Sequence, residues 1–327
     1  MEFTRCFLGI ALLVWGLGVS YCCAEDPNAV ARGKQLYAEE PNLPLEWSIK
    51  SEKDSYYAGE PVLISINIKN SGKQQDEIDF GTEGIGAFSF QLSDLNNTVI
   101  CKESKIERFG FSVKSPFAYV PIGSTYQKKI ILNRWCSTLL QPGQYYVICN
   151  IDYRLRSEDI KVPPRMGSKA GPIHAKQLSF NFLIIPTDGE KFKEIIVNLA
   201  NDALYNIKPG TKNIKELLLK AEIAAEMLTF TDNNMAIPYQ LKLLEMEKYT
   251  WNKIDIINSL VKSNNVSAVE GLVQIVEDPN IEKDDIKPLL IEGVYKLRET
   301  GKAEIISATN DFVAKYKHPP VRQMPLD

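Results

Sequence analysis

Two histidines are all this chain has for imidazole chemistry, and they stand far apart: His174 behind Gly171-Pro172, and His318 in a proline-rich tail. A Ser-His-Asp or Cys-His relay holds its histidine against both a nucleophile and an orienting group. Nothing near either position announces such a partner. The sequence also lacks a Gly-Xaa-Ser-Xaa-Gly elbow, a phosphate-binding glycine loop and a His-Glu-Xaa-Xaa-His helix. Carboxylates are plentiful, and Asp76, Glu77, Asp79 and Glu107 could supply an acid–base pair. Two-acid catalysis depends on a separation in space, which spacing along a chain does not define. Asp278, Asn280, Glu282 and Asp284 alternate like calcium ligands. Counted from Asp278, however, Lys283 falls where the calcium loop needs glycine and Leu289 where it needs a bidentate glutamate. The run reads as a solvated turn, and no metal or cofactor is implied.

One short segment offers binding rather than catalysis. Gly81-Thr82-Glu83-Gly84-Ile85-Gly86 holds three glycines without nucleotide-binding spacing, a pattern that suits a tight loop or bulge between strands. With Phe80 and Phe88 at its ends, this loop is where a ligand is to be sought, through Phe80, Gly81, Gly84, Gly86 and Phe88. The cysteines offer oxidation chemistry. Cys6, Cys22 and Cys23 lie near the N-terminus, while Cys101, Cys136 and Cys149 lie in the body of the chain. A bridge between Cys136 and Cys149 is expected, because Gln141-Pro142-Gly143 places a turn between them. Its condition is a Cα–Cα distance within about 7 Å. The alternative is three thiols buried as small hydrophobes.

Whether any bridge forms depends on compartment, and the N-terminus speaks to that. Arg5 precedes an apolar run, Cys6–Val19, followed by small residues up to Ala24. An apolar run of about fourteen residues is short for a bilayer core of about 30 Å and matches a secretory signal. Residues 1–24 are therefore expected to be a signal peptide, cleaved after Ala24, which makes the protein extracytoplasmic: periplasmic or secreted. An uncleaved anchor, or lipid attachment at Cys22 or Cys23, is the alternative. No later stretch is long and apolar enough to cross a membrane. The formal charge of −3 includes no basic excess in either half, which argues against a nucleic-acid partner.

The elements that would position these residues change period once. From residue 43 to 186 the pattern alternates, as in Leu45-Glu46-Trp47-Ser48-Ile49-Lys50 and in Val62, Ile64, Ile66 and Ile68. Further strands are expected at Ala87–Leu92, Thr98–Cys101, Phe109–Val113, Thr125–Arg134, Gln144–Tyr153 and Gln177–Ile185. From residue 189 to 318 the stripes are helical. Phe192, Ile195, Ile196, Leu199 and Leu204 mark one, and Ile214, Leu217, Leu218, Ala221, Ala224 and Leu228 the next. Helices then follow at Ile237–Lys248, Lys253–Lys262, Ser267–Val276, Asp284–Thr300 and Ala303–Lys317. Each is short and broken by a turn, as antiparallel helix pairs require.

Two phrases carry a resemblance. Tyr56-Tyr57-Ala58-Gly59-Glu60-Pro61-Val62-Leu63-Ile64-Ser65-Ile66, with Leu140-Gln141-Pro142-Gly143-Gln144-Tyr145-Tyr146-Val147, resembles the strands and turns of bacterial exported Ig-like domains. No cysteine occupies the second strand, so the antibody-type Cys…Trp…Cys framework is not matched. Ala268–Asn280, followed by Ile286, Leu289, Leu290, Ile291, Val294, Leu297 and Gly301, resembles a HEAT repeat. The resemblances imply an all-β immunoglobulin-like sandwich followed by all-α HEAT-like helix pairs, with a generic helical bundle as the alternative for the second half. Sandwich loops and helix-pair surfaces recognise proteins without catalytic groups. The expected function is thus an exported, non-enzymatic binding or scaffold protein whose partner is another protein or an envelope component. A carboxylate-dependent hydrolase of an extracellular polymer is the rival, and a protease-inhibitor-like module is a narrower form of the first reading.

Overall fold

The computed structural model describes residues 44–81, 85–102, 117–136, 138–156, 173–205, 211–246, 252–279 and 286–317. The expected signal at residues 1–24, the strand at 109–113, Gly84, His318 and most of the calcium-like run lie outside the described residues. A β-sheet region comes first and a bundle of helices follows. The strands are β1 (Leu45–Ser51), β2 (Ser55–Tyr57), β3 (Leu63–Asn70), β4 (Asp76–Asp79), β5 (Phe88–Asp94), β6 (Val99–Lys102), β7 (Phe117–Val120), β8 (Thr125–Ile131), β9 (Gly143–Arg156) and β10 (Ile173–Ile185).

They form two sheets over one core. The smaller has the order β1-β3-β8; the larger runs β2-β10-β9-β4-β7, with β5 pairing both β9 and β6. Alternation explains the layering. Ile64, Ile66 and Ile68 of β3 enter the core from one side, and Val147, Cys149, Ile151 and Tyr153 of β9 enter it from the other. Trp47 closes one end, with its ring centroid 4.8 Å from Tyr153 and 6.3 Å from Phe80. Three strands carry no sequence signal. β2, β4 and β7 have three or four residues each, too few to display a period.

The cysteine pairing corrects the expectation drawn from the turn. Cys136 is bonded to Cys101, with Cα atoms 5.2 Å apart, and Cys149 is a buried free thiol. The reason lies in strand order. The expected strand at 125–134 ends at Ile131 and gives way to a single 3-10 turn, Leu132–Trp135. β8 belongs to the small sheet and β9 to the large one, so Pro142-Gly143 leads the chain between sheets instead of folding a hairpin. Cys149 then sits mid-strand, opposite Phe90 on one side and Leu178 on the other. Burial pushes its thiol up to about 12.

Seven helices follow among the described residues: α1 (Gly189–Leu204), α2 (Ile214–Thr229), α3 (Ile237–Leu244), α4 (Lys253–Ser263), α5 (Val266–Glu277), α6 (Lys287–Glu299) and α7 (Ala303–Lys315). Their inward stripes meet in a second core, with Phe192, Ile196, Leu228, Leu243, Leu260, Leu272, Leu290 and Phe312 among its members. Asp188 caps α1 by accepting from the Lys191 amide at 3.3 Å. None of these helices is long and apolar enough to cross a membrane.

The two parts are stitched together. β2 runs parallel to the end of β10, and the turn after it reaches the helices. The Ala58 amide donates to Ile185 O at 2.9 Å, and the Thr187 hydroxyl donates to Ala58 O at 2.7 Å. Gly59 O accepts from the Asp232 amide, in the chain between α2 and α3, at 3.0 Å. Tyr57 turns its ring edge-on to Phe192 at 6.5 Å. Gly59 has φ +91°, and a Cβ there would lie 2.8 Å from Asp232 O. Glycine is what lets the two backbones approach so closely.

Candidate functional site

The glycine loop is pinned at both ends. Asp79 Oδ1 accepts from the Gly81 amide at 2.7 Å, closing a turn around Gly81, whose φ is +69°. On the return side Ala87 N donates to Phe80 O at 2.7 Å and Phe88 N to Ile85 O at 3.0 Å. Asp152 N, on the long central strand, donates to Ala87 O at 2.8 Å. Beside Gly81 and Gly86, and open to solvent, lies a cavity of about 270 Å³.

Strand alternation decides what lines it. Ile151 and Tyr153 are buried in the core, so Asp152 and Arg154 project to the outer face of the large sheet. Asp79 of β4 pairs in register with Arg154 of β9, and Arg154 with Ile173 of β10. The cavity thus combines two carboxylates, Asp79 and Asp152, with the Arg154 guanidinium, the backbone of Gly81 and Gly86, and an apolar wall at Ile173. Such a set can hold a small polar group by ionic and backbone hydrogen bonds.

Of the residues singled out in sequence, Gly81 and Gly86 line this cavity. Phe80 and Phe88 do not: both are buried, with ring centroids 5.1 Å apart. They brace the loop from beneath. His174 is likewise a core residue, its ring 5.4 Å from Tyr153. Asp76, at the other end of β4 and three residues from Asp79, does not line the cavity; its Oδ2 is buried and without a hydrogen-bond partner. Burial holds its carboxyl above the usual aspartate range.

A partly buried ion-pair network at the domain junction has no counterpart among the sequence expectations. Arg134, on the 3-10 turn, sends Nη2 to Asp255 Oδ2 of α4 at 2.6 Å and Nη1 to Glu226 Oε1 of α2 at 3.3 Å. Its guanidinium carbon stands 5.3 Å from the Phe230 ring centroid. The side chain is 9% exposed, against 15% for Glu226 and 23% for Asp255. Nε is buried without a hydrogen-bond partner. The only trace in sequence is one arginine in the apolar run Ile130-Ile131-Leu132-Asn133-Arg134-Trp135, where a strand reading makes it an ordinary outward charge.

A second surface feature belongs to α1 and α2. The first buried residue of α2 is Ala221, so the preceding turns hold Ile214, Leu218 and Leu219 in water, the last two 44% and 57% exposed. Val197, midway along α1, and Tyr205, just past its C-terminus, are exposed as well.

No family model matches the chain, and no curated protein matches it in sequence. Among solved structures, the structural-genomics target SoR45 is 16% identical, over 43% of this chain and 87% of that one, with a TM-score of 0.24. The ASH/PapD-like domain 7 of human CEP192 is 12% identical over 46% and 92%, with a TM-score of 0.25. The sporulation control protein Spo0M from Bacillus subtilis is 15% identical over 49% of this chain and 54% of that chain, with a TM-score of 0.24.

Proposed function

We propose that this chain is an exported, non-enzymatic protein-binding scaffold. In it an immunoglobulin-like sandwich and HEAT-like helix pairs are locked together, and one end of the first pair is offered to a protein partner in the envelope or outside the cell. The observation that carries the reading is the apolar end of α1 and α2. Ile214, Leu218 and Leu219 are exposed ahead of Ala221, where α2 begins to bury its side chains, and Tyr205 is exposed just after α1. Apolar groups gathered on a surface mark sites of association more often than scattered ones do. The Arg134 junction supports the scaffold part, since partly buried charges bridged to two helices resist sliding of one domain on the other. Export rests on the residues before Glu25, and N-terminal sequencing of secreted or periplasmic material should begin there.

The test is a pair of variants read together. Leu218→Glu with Leu219→Glu should leave the circular dichroism spectrum and thermal midpoint unchanged and should abolish recovery of a crosslinked partner from the envelope fraction. Equal recovery by the wild type and this variant would refute the assignment. Asp79 and Asp152 on one cavity favour the hydrolase as a second reading. It requires release of reducing ends or peptides from an envelope polymer, lost in Asp152→Asn.

A further inference from the structure

The disulfide and the Arg134 junction are two residues apart, and this places them in one mechanical unit. We infer that oxidation of Cys101 and Cys136 sets the interdomain latch. The closed bond holds the Leu132–Trp135 turn where Arg134 reaches Glu226 and Asp255, and the reduced protein grips its helical domain more loosely. The inference concerns regulation of shape and does not depend on the partner proposed above.

The turn that carries Arg134 is anchored at its entrance by the small sheet. Leu132 N donates to Val62 O at 2.9 Å, and Asn133 Oδ1 accepts from Val62 N at 2.6 Å. Trp135 packs against Phe90 with centroids 4.8 Å apart. At its exit Cys136 N donates to Asn133 O at 3.1 Å, and beyond Cys136 the chain crosses to the large sheet. The covalent tie at this exit is the bond to Cys101 of β6, which pairs with β5 of the large sheet. The disulfide therefore joins a turn growing out of one sheet to a hairpin of the other. Arg134 projects from between the anchored entrance and this tie. Its grip is directional, because two guanidinium nitrogens address carboxylates on two different helices. A shift of the turn by a fraction of an ångström costs such a contact more than it costs an apolar one.

The opening reaction is ordinary exchange with a dithiol. A thiolate of the reductant attacks one cysteine sulfur, the S–S bond breaks, and a mixed disulfide forms. The second thiol of the reductant then closes its own ring and releases the protein sulfur. Two electrons pass to the protein, two protons end on Cys101 and Cys136, and the reductant leaves as a cyclic disulfide. Cys149 takes no part, being buried with its thiol pushed up to about 12 and so almost wholly protonated near neutral pH.

Hydrogen exchange of the folded full-length protein, before and after treatment with a dithiol, tests the latch. The diagnostic peptide spans Leu228–Asn234, because the Asp232 amide bonds across the junction to Gly59 O. Reduction should speed its exchange by about tenfold, the effect of losing one charge-assisted hydrogen bond. Arg134→Met should do the same while oxidised, and reducing Arg134→Met should add nothing further. The β9 peptide, Gly143–Arg156, should stay protected throughout and reports that the sheets are intact. Unchanged exchange on reduction, a full additional effect of reduction in Arg134→Met, or loss of β9 protection would each overturn the inference. The last outcome would mean the bond holds the sheets and not the latch.

Discussion

Gly59→Ala puts a single methyl group into the contact between the two domains, and its cost can be separated into parts. The backbone there has φ +91°, which an L side chain adopts at a cost of about 1 kcal/mol. The new Cβ would stand 2.8 Å from Asp232 O, a backbone atom, and 3.6 Å from Phe192 Cζ. Asp232 cannot simply rotate away, since its own amide donates to Gly59 O at 3.0 Å. Relief requires the chain between α2 and α3 to retreat, which gives up that hydrogen bond for about 1 kcal/mol and some packing besides. The whole change should cost about 2–4 kcal/mol. Gly123→Ala is the matched control: φ is +69°, and nothing lies within 4 Å of the added carbon. It should cost only the backbone part, about 1 kcal/mol. Urea unfolding of both variants, followed by circular dichroism, gives the difference. Equal losses, within roughly half a kcal/mol, would show that the close approach of Gly59 to Asp232 carries no energy and would refute the reasoning.

Cys149 should resist iodoacetamide in the native protein at neutral pH and react only after unfolding, because burial leaves it protonated. Non-reducing peptide mapping should at the same time recover Cys101 linked to Cys136, and a peptide joining Cys149 to either would contradict both statements. Asp76→Asn should stabilise the protein at neutral pH by less than about 1 kcal/mol, given the solvent that still reaches the group. Burial raises the folded carboxyl above its ordinary value of 3.8, so its contribution is full below 3.8 and is lost as pH rises through the raised folded value. Thermal melts should therefore show the gain at neutral pH and not well below 3.8; a loss of stability at neutral pH would reverse the sign.

How much of this was legible in sequence depends on length and on neighbours. β1, β3, β5, β9 and β10 run for seven residues or more, so alternation had room to show, and the switch to helical spacing near Gly189 was plain for the same reason. β2, β4 and β7 are set by the strands they join and not by their own pattern. The cysteine pairing turned on whether β8 and β9 share a sheet, a property of strand order that no local turn reveals. Gly81 is legible because its positive φ answers a backbone need that only one residue type meets cheaply. Its flanking phenylalanines look inward because Phe80 and Phe88 follow the strand face, not the loop. Arg134 shows in sequence only as one charge in an apolar run, since its partners lie about a hundred residues further on, on two helices.

The long central strand has a consequence for how the protein is made. β9 pairs β10 along one edge and both β5 and β4 along the other, so it is the keel on which the large sheet is laid. A ribosome delivers it only after Arg156, when β1 through β8 have already emerged. Until then the β5–β6 hairpin and β4 present unsatisfied edges, and contacts this distant in sequence are slow to form. The emerging chain is thus obliged to wait in an open state, one that a holding chaperone can keep soluble. Nonsense truncations upstream of Gly143 should leave sticky, keel-less fragments destined for proteolysis, whereas truncations within the helices still permit the sheets to close.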